Sequence, residues 1–89
     1  MNDAETQFAE RLAEDIARVL GVGIVVGDIE LEVGEAGRGA RVTATLLAGP
    51  RAETIEAVGA SVLDLYEPIV RRAAEVRLQD AFWQMIGPA

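Results

Sequence analysis

Projected as a helix at about 100° per residue, positions 69–86 are apolar on two opposite sides. Ile69, Ala73, Val76 and Trp83 form one stripe. Val70, Ala74, Leu78, Ala81, Phe82 and Met85 form the other. Between them run Arg71, Arg72, Glu75 and Gln79 on one flank and Arg77 and Gln84 on the other. A helix that is apolar on two sides wants two partners, and the rest of a small chain supplies one. The second stripe is therefore predicted to pack against the same helix of another copy, in an isologous contact. The expected interface residues are Val70, Ala74, Leu78, Phe82, Trp83 and Met85.

Length sharpens the point. The chain has 89 residues, enough for one domain spanning 1–89. Its apolar fraction is 51%, but fifteen of those residues are alanine and 4% of the chain is aromatic. A core this light gains from a second copy. The expected fold class is α+β: an N-terminal helix, an antiparallel two- or three-stranded β-meander, and a long C-terminal helix kinked or broken at Pro68. The apolar stripe continues backwards through Leu65, Val62, Val58 and Ile55, so the C-terminal helix is expected to start after Gly49-Pro50. Such a helix would be about 54 Å long, against a radius of gyration of roughly 12–13 Å for a domain of this size.

Upstream, Phe8, Leu12, Ile16, Val19 and Leu20 recur at helical spacing, which predicts a helix over 3–20. Asn2 or Asp3 suits its cap, Glu14 and Arg18 stand four apart, and Gly21 follows its end. Residues 22–48 read as strands, with Gly27-Asp28 either a tight turn or a bulge and residues 34–39 a loop. Pairing Val33 with Ala40 sets Glu32 opposite Arg41 and Leu31 opposite Val42, both favourable cross-strand neighbours.

Chemistry is narrowed by what is missing. The chain contains no Cys, no His and no Lys. That removes thiolate and imidazole metal ligands, the usual nucleophile–base pairs and the Schiff-base amine. Three carboxylates, Asp28, Glu30 and Glu32, alternate along one strand and resemble a cation site. Residues two apart on a strand are almost 7 Å apart, however, so a solvated sheet face is the better reading. The glycines at 34, 37 and 39 join two strands, whereas a phosphate loop opens a helix. Arg71, Arg72 and Arg77 have Glu67, Glu75 and Asp80 three or four residues away and read as ion-paired. Tyr66 and Trp83 would anchor a core or interface, or cap a pocket at a subunit boundary. Ser61 has no nearby base. No catalytic, cofactor-binding or metal residue is assigned.

The net charge is −7, all of it carried by residues 1–35 with nine acids and two arginines. That segment would repel a phosphate backbone, which argues against nucleic acid. The order helix, meander, helix is similar to that of double-stranded-RNA-binding domains and small nucleoid-associated dimers, a likeness of element order without a shared motif. The acidic start, Met1-Asn2-Asp3-Ala4-Glu5, lacks the basic and apolar regions of a signal peptide, and no apolar run approaches the length of a membrane span. The expected protein is a cytoplasmic, non-enzymatic interaction or assembly domain that forms a homo-oligomer, a dimer first of all, and that could also bind another protein. The alternatives are a ligand-binding or enzymatic domain with a pocket between subunits, and a nucleic-acid-binding dimer.

Overall fold

The first helix, α1 (Asp3–Leu20), opens on a reciprocal cap. The Glu5 backbone N–H donates to the Asn2 side chain at 2.8 Å, and the Asn2 N–H donates to the Glu5 carboxylate at 3.1 Å. Gly21 closes it with a positive φ, its N–H donating to the Ala17 carbonyl at 3.0 Å. Leu12, Ile16 and Leu20 are buried, as their spacing predicts. The computed structural model describes residues 2–35 and 38–86, with the side chains of Phe82, Trp83, Gln84 and Ile86 outside the description.

Three antiparallel strands follow in the order β1 (Val25–Val33), β2 (Ala40–Ala48), β3 (Arg51–Gly59). The predicted register of the first pair holds: Val33 faces Ala40, Glu32 faces Arg41 and Leu31 faces Val42. Between Val26 and Ile29 two residues oppose one, so Gly27-Asp28 is a bulge in a single strand and not a turn. On β2 and β3 the inward side chains are Val42, Ala44, Leu46, Ile55 and Ala57, all buried. Thr43, Thr45 and Thr54 lie on the opposite face with Arg41 and Glu56.

The third strand corrects the expected helix over residues 51–67. Gly49-Pro50 is a hairpin turn that joins Ala48 to its partner Arg51. Gly49 has φ 61°, and Pro50 holds a negative φ, the combination of a type II′ turn that the strand twist favours. After it Ile55 and Ala57 point inward while Thr54, Glu56 and Val58 point out. The helical stripe read from Ile55, Val58 and Val62 shared Ile55 with this two-residue alternation. The open edge of β2, whose inward side chains are apolar, decided between them.

A 3₁₀ turn (Leu63–Leu65) leads directly into the second helix, α2 (Tyr66–Ile86). Neither arrangement expected at Pro68 occurs: no helix stands between β3 and the 3₁₀ turn, and α2 begins at Tyr66 and runs through Pro68. Pro68 stands third in α2, where a missing N–H costs no intrahelical bond. Both helices cover the same face of the sheet and close one apolar cluster with Leu65, Ile69, Ala73 and Val76. Tyr66 meets Asp15 and Arg77 meets Val19, so the helices run in the same direction. The molecule measures 50 × 19 × 18 Å, longer than the ~30 Å of a nine-residue strand. Among the described residues, no helix is long and apolar enough to cross a membrane.

Candidate interaction surface

The side of α2 turned into the core carries Ile69, Ala73 and Val76. These are the described members of the first predicted stripe. The second stripe faces outward. Val70 and Ala74 are half-buried beside α1, Leu78 is 70% exposed and Met85 is 85% exposed. Ala81 is exposed as well. Phe82 and Trp83, also expected at the interface, have side chains outside the description. Val76 is the last buried position among the described residues of α2. The ten residues beyond it extend α2 by about 15 Å.

At its upstream end this stripe borders a shallow, largely apolar groove of about 390 Å³ between the two helices. Val19 of α1 and Tyr66, Glu67, Val70, Arg71 and Ala74 of α2 line it. The polar flanks are ion-paired as predicted for two of the three arginines: Arg71 with Glu67 at 2.6 Å, and Arg72 with Glu75. Arg77 does something else. Its guanidinium donates to the Val19 carbonyl at 3.1 Å and so satisfies an acceptor at the open end of α1.

Beneath the groove lies a polar cluster that the sequence reading missed. Asp15 is 7% exposed. It accepts from the Tyr66 hydroxyl, from Arg11 Nε at 3.4 Å and from Arg18 at 3.3 Å. Arg18 thus pairs with Asp15, and the expected Glu14–Arg18 pair is not the one formed. The signal was available: Asp15 stands three residues after Leu12 and four before Val19, a carboxylate inside an apolar stripe. Tyr66 is correspondingly an anchor between helices. Its hydroxyl holds the Asp15 carboxyl below its ordinary value of 3.8, helped by Arg11 and Arg18 and opposed by burial. The same hydrogen bond raises the Tyr66 hydroxyl above its ordinary value of 10.0.

The signs of these shifts fix a pH dependence. A carboxyl depressed on folding stabilises the fold above its unfolded pKa, and that contribution is lost as pH falls through the folded one. A phenol raised on folding contributes below pH 10 and loses its contribution as pH rises further. Asp15→Asn is therefore expected to be less stable than the parent at neutral pH, with the gap narrowing below about pH 4. Urea denaturation from neutral pH to pH 2 measures it; a gap constant with pH would show that the Asp15 charge contributes nothing.

The remaining candidates do not converge. Glu30 and Glu32 face Thr43 and Arg41, and Arg41 turns away to Glu56 at 3.4 Å, so the expected Glu32–Arg41 offset is not the ion pair made. Among the described residues, no group of three acids is placed to hold a metal ion. Gly34 is required by turn geometry, since a Cβ there would come within 2.0 Å of the Arg38 carbonyl. Gly37 lies outside the described residues. Ser61 donates to Asp64 at 3.1 Å. A pocket of about 210 Å³ opens between the β2–β3 hairpin and α2, floored by Ile24, Leu46 and Val76 and edged by Arg51 and Asp80, which stand 3.8 Å apart. No protein family, curated protein or solved structure matches this chain.

Proposed function

We propose that this chain is a non-enzymatic assembly module that works as a homo-oligomer joined through the outer face of α2. The observation that carries the reading is the pair Leu78 and Met85, exposed on a helix whose opposite side is already committed to the core. Exposed aliphatic side chains in line with an apolar groove mark a contact surface. The thin core supports the same reading, because among the described residues four of the fourteen buried apolar ones are alanine and add little burial. Sedimentation equilibrium from about micromolar to millimolar concentration tests it. The expected result is a mass that rises to at least twice that of the chain; a single-chain mass throughout would refute assembly.

A small-ligand reading has one observation in its favour, the pocket edged by Arg51 and Asp80. Its volume, about 210 Å³, falls below the roughly 300–1,000 Å³ of most ligand sites. The self-assembly reading has the stronger support.

A further inference from the structure

The exposed stripe of α2 has a property that docking to an unrelated protein does not require: its spacing is the same in both directions from Ala74. Val70 and Leu78 stand four residues to either side, Glu67 and Ala81 seven, and Leu63 and Met85 eleven. Steps of three and four keep residues on one face of a helix. Leu63, in the 3₁₀ turn just ahead of α2, is exposed like Leu78 and Met85. We propose that α2 pairs antiparallel with α2 of a second copy of this chain, with the twofold axis at Ala74. The inference rests on the assembly reading above and adds the partner's direction and register.

Three features of the surface suit that pairing. First, a twofold axis at Ala74 lays the stripe on itself, so each large side chain meets an apolar neighbour: Leu78 of one copy against Val70 of the other. Glu67, opposite Ala81, is the one polar member of the stripe. Second, alanine on the axis lets the backbones approach toward the lower end of the 8–10 Å usual between packed helices. Leu78 then reaches the groove that Val19, Tyr66 and Val70 border. Third, Arg71 and Glu75 project from the same flank of the stripe. A twofold normal to the plane of the two helices keeps like flanks together, which brings the guanidinium of one copy beside the carboxylate of the other. A parallel pairing offers no such exchange, because its twofold runs along the helices and places the Arg71 and Glu75 flanks of the two copies on opposite sides.

Native cysteine is absent, so single substitutions report position without background. A disulfide needs Cα atoms about 4.4–6.8 Å apart. Ala74→Cys, on the axis, is expected to form a covalent dimer under mild oxidation. Val70→Cys and Leu78→Cys are each expected to cross-link poorly alone, since Leu78 and its counterpart would be displaced by about 12 Å along the axis. Mixed together, the two variants are expected to give the heterodisulfide as the main product. Efficient self-cross-linking at positions 70, 78 and 85 alike would indicate a parallel pair and overturn the inference. A dimer in sedimentation with neither the 74–74 nor the 70–78 cross-link would overturn it too, while leaving assembly through α2 standing. A chain that stays monomeric at every concentration removes both. Leu78→Cys, at an exposed position, keeps the test readable if Ala74→Cys disturbs the packing against α1.

Discussion

Leu78→Glu is expected to yield a folded monomer if the chain assembles through α2 as proposed. The side chain is largely exposed within its own chain, so its loss removes almost no intrachain contact. Folding stability is expected to change by no more than about 0.5 kcal/mol, the usual range for a surface position. Association is a different matter. Burying a leucine contributes about 1.5–3 kcal/mol, and an isologous contact loses that contribution once from each copy. The combined loss, roughly 3–6 kcal/mol, corresponds to a dissociation constant raised about a hundredfold to ten-thousandfold. Circular dichroism and sedimentation on the same sample separate the two effects. An unfolded variant would place Leu78 in the core, and a variant that still assembles like the parent would place the contact elsewhere.

Leu46→Ala has the largest expected effect on the fold itself. Leu46 is fully buried in the central strand beneath both helices. Truncating such a leucine costs about 2–5 kcal/mol, including the cavity left behind. The whole stability of an 89-residue chain is expected to be only about 4–13 kcal/mol. A fall in Tm on the order of 10–40 °C follows. The neighbouring residue supplies the comparison. Leu47 points to the other face of the sheet and is 41% exposed, so Leu47→Ala is expected to cost no more than about 1 kcal/mol. Equal effects at the two positions would mean that the strand register is shifted by one residue. Both variants should be compared at one protein concentration, because the proposed self-association would add a concentration-dependent stabilisation.

Local pattern was enough wherever one periodicity had no competitor. The limits of α1, a polar cap at Asn2 or Asp3 (which the structure places at Asn2), the register of β1 with β2 and the two-sided character of α2 all follow from side-chain spacing and cap chemistry that act over a few residues. The same holds for Leu78 and Met85, whose outward position is a matter of helical angle, whereas Val70 and Ala74 are half-buried because α1 lies beside them. Two features were not legible in this way. Residues 51–59 fit a helical stripe and a strand alternation about equally well, because Ile55 serves both. The position of Asp15 in the apolar stripe of α1 is visible in the sequence, but its partner is not, because Tyr66 lies 51 residues away.

The sequence by itself determined the α+β class, the first helix, the β1–β2 pairing and the absence of thiol, imidazole and amine chemistry. Only the tertiary structure decided that β3 is a strand, that Pro68 opens a helix, and that Asp15 is held between Arg11, Arg18 and Tyr66. The division has a physical cause. Caps and side-chain periodicity act between near neighbours, whereas a strand is stabilised by the edge it pairs with and a buried carboxylate by the donors brought to it. Those partners meet only when the chain has folded.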